Sequence, residues 1–395
     1  MTRVVTRRLD GEPDLVHVAG RDGVLFTREG TGLAGHGVAA RLSGGPDEVM
    51  AALASFEVDD EVGRPGCGPV AFGALPYDRR APWVLTVPEV VVGRDPDGTA
   101  WVTTVGDAEP AWDEAPAAED LGPSTFSVRP CRPPGEWCDA VAAATAEIRA
   151  RRLTKVVLAR EVHVEGDRPF DRPTVLRRLR AAYPSAMVVA ADGMVGASPE
   201  LLVSRAGDLV RSHPMAGTAP RSADPTTDAR LAAGLLSSAK DRSEHQITID
   251  MVHDTLLPWC SYLDAEAEPS VVALANVQHL ATLVHGRLSA PAPSVLELVA
   301  ALHPTPAVCG WPREEADALL ARLEGFDRGR YAGPVGWVDA AGNGRFAVGV
   351  RTAALEGATA RVFAGNGIVA DSDPATELAE TRAKLQALLS VLVRP

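Results

Sequence analysis

Lysine is almost absent from this chain. Of 39 basic residues only Lys155, Lys240 and Lys384 are lysine, and the other 36 are arginine. Aromatic residues are few, at 5%. No run of about 18 apolar residues occurs, so no helix is expected to span a membrane. The start, MTRVVTRRLDGEPD, has early basic residues but lacks an apolar stretch, so it does not read as a secretory signal. The cysteines, Cys67, Cys131, Cys138, Cys260 and Cys309, are scattered, and none forms a CxxC pair. That argues against thiolate-metal and disulfide frameworks and fits a reducing cytoplasm. Positive charge is also in deficit. Against 52 acidic residues the net charge is −13, which disfavours nucleic acid and anionic membranes as partners. An anionic ligand therefore needs a local cluster of positive groups.

What is present is an ordinary globular composition: 395 residues, 46% apolar, mean hydropathy +0.00. There is no internal repeat. Residues 106–136 are rich in Pro, Ala and acid and read as a connection. Residues 1–105 carry β-like runs, such as 81–93 and 99–105, but no chemical motif. From 137 to 395 the pattern sharpens. Helices are predicted over 137–152, 173–183, 226–257 and 374–392. Strands are predicted over 154–163, 186–191, 200–205, 333–338, 345–353 and 359–364. Asp373 and Pro374 supply a cap and a first-turn proline for the last helix, and Leu378, Leu385, Leu389 and Leu392 its apolar stripe. Many strands with tight turns and long helices indicate an α+β fold with large, mostly antiparallel sheets.

The last helix has a second stripe, Glu377, Glu380 and Lys384, at i, i+3 and i+7. The earlier helix has Asp241 and Glu244 at i, i+3, beside Lys240. Two such faces could hold Mg²⁺, which prefers hard oxygen donors. They also read as solvated faces with an i, i+4 ion pair, Glu380–Lys384. Residues 364–370, AGNGIVA, match GxGxxA, but the helix that follows runs almost to Pro395. No second parallel strand can follow, so a dinucleotide site is rejected. Unhindered glycine amides there can instead hold a carboxylate or phosphate. GASPE at 196–200 is not GxSxG, and there is no HExxH, so a serine nucleophile and a zincin site are rejected.

Taken in order, TKVVLAR (154–160), GASPELLV (196–203), HPMAGTAPR (213–221), SSAKDRSEH (237–245), VQHLAT (277–282), LHPTPAVCGWP (302–312), EGFDRGRYAGPVGW (324–337) and FAGNGIVADSDPATELAETRAKL (363–385) resemble the chorismate-utilising enzymes. Among these they are most similar to the isochorismate synthase family. The resemblance covers about residues 135–395. It implies a two-subdomain α/β sandwich in which 1–105 belongs to the same unit as 137–395. It implies a cytoplasmic, monomeric enzyme that takes chorismate and Mg²⁺ and whose product feeds siderophore, menaquinone or salicylate biosynthesis.

The implied reaction adds water at C2 of chorismate and expels the C4 hydroxyl. Lys155 would be the general base, neutral when it accepts the proton, and Glu200 the general acid. Glu244 and Glu380 would bind Mg²⁺ directly, with Asp241 and Glu377 nearby. Arg351 would hold the other substrate carboxylate, helped by Tyr331 and the amides around Gly365. Lys384 would offset charge beside the metal carboxylates. Gly217 and Thr218 would line the ring, and His279 would point toward the substrate. Relatives that use ammonia, such as anthranilate synthase, lack the base lysine, so Lys155 indicates water as nucleophile. Relatives that go on to eliminate pyruvate, such as salicylate synthase, tend to carry Thr at the position of Ala307. Ala307 therefore indicates a reaction that stops at isochorismate, with salicylate synthase as the alternative.

Overall fold

The computed structural model describes residues 2–110 and 122–393. The middle of the Pro- and acid-rich connection, 111–121, lies outside the described residues. The fold is α+β. A thirteen-stranded sheet and a nine-stranded sheet face each other, and a three-stranded sheet stands beside them. Among the described strands pairing is antiparallel, except that Arg3–Leu9 runs parallel to Glu57–Asp60.

Burial on both faces explains the continuous apolar strands. Met187–Ala191 reads MVVAA, with every residue buried. Successive side chains point to opposite faces. Met187, Val189 and Ala191 pack into the layer between the sheets with Phe72, Trp101 and Trp337. Val188 and Ala190 pack outward with Leu176, Leu179 and Leu388, under the Arg172–Ala182 and Pro374–Leu392 helices. The far face of the smaller sheet is covered by Pro46–Ala54, Ala239–Leu256 and Val295–Leu302.

The N-terminal residues contribute strands to both sheets. Val24–Arg28 pairs with Met187–Ala191 in the larger sheet, and Val70–Ala74 pairs with Pro334–Asp339 in the smaller one. The chain also crosses from sheet to sheet in short steps. Val84–Val87 belongs to the smaller sheet and Val90–Arg94 to the larger, so the predicted run 81–93 is two strands. Met194–Ser198 and Leu201–Ala206 likewise lie in different sheets, as do Gly344–Val348 and Thr352–Glu356.

Two further sequence expectations need correction. The strand expected over 345–353 is broken, because residues 349–351 make one of these crossings and Arg351 takes a left-handed φ of 56°. The helix expected over 226–257 is two helices, Pro225–Ser237 and Ala239–Leu256. Ser238 leaves helical geometry, and its hydroxyl accepts from the Asp241 amide at 3.2 Å, starting the second helix afresh. Among the described residues no helix is long and apolar enough to cross a membrane.

The last helix, Pro374–Leu392, matches its predicted limits. Asp373 accepts from the Thr376 amide at 2.9 Å and from its hydroxyl at 2.8 Å. Losing this cap should cost about 1 kcal/mol. Asp373→Ala should therefore lower the free energy of unfolding in urea by about that amount. An unchanged urea midpoint would show that the cap contributes nothing.

Candidate active site

The strand Lys155–Gly166 begins with eight buried residues, KVVLAREV. It runs antiparallel to Thr359–Ile368, placing Val157 opposite Gly367 and Ala159 opposite Gly365. The two-residue strand Gly310–Trp311 pairs with Lys155 and Val156 on the other edge. Lys155 is 1% exposed. Its Nζ lies 2.8 Å from Glu244 Oε1. Gly367 makes this contact possible: a Cβ there would stand 2.1 Å from Glu244 Oε1 and 2.8 Å from Lys155 Cε. Any side chain would displace the pair.

Two of the crossings between sheets lie side by side. Glu200 occupies one, and Arg351 the other, joined by Ala197 N–H donating to Arg351 O at 3.1 Å and Val348 N–H donating to Glu200 O at 3.0 Å. Glu200 is buried, and burial pushes its carboxyl up to about 7. The Met215 amide and the charges of Lys155 and Arg351 oppose that rise without cancelling it. Arg351 is partly buried, and its Nε is sealed off without a hydrogen-bond partner. Among the described residues no carboxylate lies within ion-pair distance of it.

The partner of Arg351 is His279. Arg351 Nη2 donates to His279 Nε2 at 3.0 Å. His279 Nδ1 lies 3.0 Å from the Gly217 carbonyl, which can only accept, so the proton sits on Nδ1. Burial, together with Arg351 and Lys384, holds this imidazole well below its ordinary range. His279 is thus neutral. Thr218 sits opposite it across the strand pair Met215–Pro220 and Val277–Ala281, with its hydroxyl 3.2 Å from Nδ1. The register slips between Ala216 and Thr218, where Gly217 takes φ 70°. Asp241 Cβ lies 3.1 Å from where a Gly217 Cβ would stand.

The two acidic helix faces meet here rather than facing solvent. Glu377 is buried, accepting from Ser372 Oγ at 2.7 Å and Asn366 Nδ2 at 3.0 Å. Lys384, also buried, contacts Glu380 at 2.7 Å and donates to Gly365 O and Asn366 Oδ1, each at 2.9 Å. Lys240, half-exposed at the rim, approaches Glu377 at 3.7 Å. Burial and the neighbouring carboxylates push Asp241 and Glu377 up. Among the described residues no three of these carboxylates bring oxygens within 4.8 Å of one another.

These groups surround one half-open basin. Asp241, Glu244, Glu377, Glu380, Lys384, Glu200, Arg351, His279, Gly217, Thr218, Ala307, Tyr331 and Gly365 all line it. Lys155 does not reach the lining and stands behind Glu244. Sequence reasoning missed Val157, Val308 and Val350 on the apolar wall. Their type gives no signal that separates them from core. It also missed Gly367, although the GNG motif contains it. A second cluster, Cys131, Glu161 and His163, lies elsewhere. Glu161 is already bound by Arg361 and by His163 Nε2, so that cluster reads as an ion pair.

The family described as "Chorismate binding enzyme" matches residues 94–393. Isochorismate synthase DhbC of Bacillus subtilis is 38% identical over 82% of this chain and 81% of its own length. Isochorismate synthase EntC of Escherichia coli is 34% identical, with 82% of this chain and 81% of that protein covered. The crystal structure of DhbC from Bacillus anthracis superposes with a TM-score of 0.82 at 35% identity, covering 96% of this chain and 98% of that one.

The Glu200 carboxyl should be half-ionised near pH 7 in the folded protein. The check is the carboxylic C=O infrared band that disappears in Glu200→Gln, followed through a pH titration. Ionisation in the ordinary glutamate range, about pH 4–5, would contradict the effect of burial.

Proposed function

The chain belongs to the chorismate-binding enzymes and is an isochorismate synthase, and we propose how its basin divides the work of converting chorismate to isochorismate. The observation that carries the assignment of roles is Arg351. A partly buried guanidinium without a carboxylate partner, beside a buried acid held near neutrality, suits a dianion that must lose a hydroxyl.

Arg351, steadied by neutral His279, holds one substrate carboxylate, with Tyr331 and the Gly365 backbone at its side. The base role needs Lys155 to turn past Glu244 into the basin, where it takes a proton from water as its oxygen bonds to C2. The ring double bonds shift, and the C4–O bond breaks. Glu200, protonated below about pH 7, gives its proton to the departing hydroxide. Water enters and water leaves, so the net change is an isomerisation. Glu200 must start protonated, which its burial supports, and the base role requires that Lys155 start neutral.

The acidic face fits Mg²⁺. Its donors are carboxylate oxygens, and burial and mutual repulsion raise two of them. Glu244 and Glu380 would hold the ion, with Asp241 and Glu377 behind them. Bound there, Mg²⁺ supplies neutralisation of the second substrate carboxylate. Wide spacing of the four groups is compatible with this, since Mg²⁺ is usually held by one or two carboxylates together with substrate and water. Ala307 on the basin wall supports a reaction that ends at isochorismate.

Purified protein given chorismate and Mg²⁺ should yield isochorismate on chromatography, without salicylate or pyruvate. Untouched chorismate would overturn the reading, and salicylate with pyruvate would replace it by salicylate synthase. A chelator should abolish turnover, and added Mg²⁺ restore it. Lys155→Ala should lower turnover by at least about a hundredfold while the protein still unfolds cooperatively. Near-parental rates would remove Lys155 from the base role. Turnover should also fall as the pH rises through about 7, because Glu200 then loses the proton it must donate. A flat profile from about pH 6 to about pH 9, a range that spans that value, would exclude Glu200 as the acid.

A further inference from the structure

The strand carrying Lys155 has a gap along one edge. Gly310–Trp311 pairs with it only at Lys155 and Val156, and Phe126–Pro130 only from Val162 to Gly166. Between these stretches, two charged side chains take over hydrogen bonds that a neighbouring strand would make. Arg328 Nη2 donates to Val157 O at 2.7 Å. Glu324 Oε1 accepts from the Ala159 amide at 2.8 Å. The two residues also pair with each other, with Arg328 Nε donating to Glu324 Oε2 at 2.8 Å and Nη2 bonding Oε1.

Arg328 reaches further than the strand. Its Nη1 donates to Val308 O at 2.7 Å, next to Ala307. Its guanidinium lies 4.4 Å from the Tyr77 ring centroid and 5.9 Å from that of Tyr331. Arg328 and Glu324 are 5% and 6% exposed, and neither lines the basin. Yet Val157, Val308 and Tyr331, which Arg328 binds or faces, all do. A planar fork with fixed donor directions can serve acceptors on three segments at once, and an ammonium cannot.

We propose that Arg328, held by Glu324, is a positioning residue for the reaction, fixing the Lys155 strand, the loop before Val308 and Tyr331 in one arrangement around the substrate ring. It touches no reacting atom and acts through these three groups. The inference rests on the isochorismate synthase reading.

The test measures isochorismate formation and thermal unfolding for Arg328→Lys, Tyr331→Phe and the combined variant. A displacement of about 1 Å in a positioned group can cost about a hundredfold. Arg328→Lys should therefore retain cooperative unfolding but lose about tenfold to a hundredfold in kcat. Because Arg328 acts in part through Tyr331, the combined variant should lose less than the product of the two single losses. Parental kcat in Arg328→Lys, or losses that simply multiply, would overturn the proposal. If Arg328→Lys does not fold, Glu324→Leu/Arg328→Met removes both charges together and is read the same way. A parent protein that makes no isochorismate would sink the functional reading instead.

Discussion

The Lys155–Glu244 contact is the constraint around which the basin is built. A lysine that is 1% exposed needs a partner, because breaking a buried pair by removing one member typically costs about 3–5 kcal/mol. The sequence meets that need with a glycine. Gly367 leaves the space into which Glu244 projects from the Ala239–Leu256 helix. A lysine–glutamate contact recurs at Lys384–Glu380 and, more loosely at the rim, at Lys240–Glu377. All three lysines of the chain are used in this way. At the proposed base position the reason is chemical: an arginine stays protonated and cannot accept a proton at neutral pH. The −13 net charge says little about the ligand, because Arg351 and the lysines set the local field.

The sheets place the remaining groups. Glu200 and Arg351 occupy neighbouring steps by which the chain passes from one sheet to the other, and backbone hydrogen bonds tie those steps together. Residues at such steps are free of the alternation that sends strand side chains into a core. Arg351 can therefore point into the basin from a left-handed backbone, and Glu200 can be sealed from solvent yet face it. The same burial that raises Glu200 keeps His279 neutral. One environment thus prepares both a proton donor and a rigid support for the arginine.

Much of this was legible in the sequence, for physical reasons that differ by residue. The α+β class followed from strand runs and turn signals, and the limits of the Pro374–Leu392 helix from Asp373 and Pro374. The stripe Glu377–Glu380–Lys384 was visible as a stripe, but spacing could not say whether it faced water. Its burial depends on the strand Thr359–Ile368, whose Gly365 and Asn366 bond Lys384 and Glu377. The break at Ser238 was hidden because a serine inside an apolar period looks like any polar helix position. The crossing at 349–351 was hidden because strand propensity carries no information on which sheet receives the strand. Val157 and Val308 look like core in one dimension and become walls only in three. Glu324 and Arg328 looked like parts of a motif, and only the gap in the strand edge shows what they bond.

The most direct test of the central claim is the origin of the new hydroxyl oxygen. Chorismate turned over in H₂¹⁸O with Mg²⁺ should give isochorismate carrying one ¹⁸O, located at C2 by fragmentation, at a rate that collapses in Lys155→Ala. Unlabelled isochorismate would mean that the hydroxyl migrates within the substrate, and would contradict a buried lysine and glutamate acting on water.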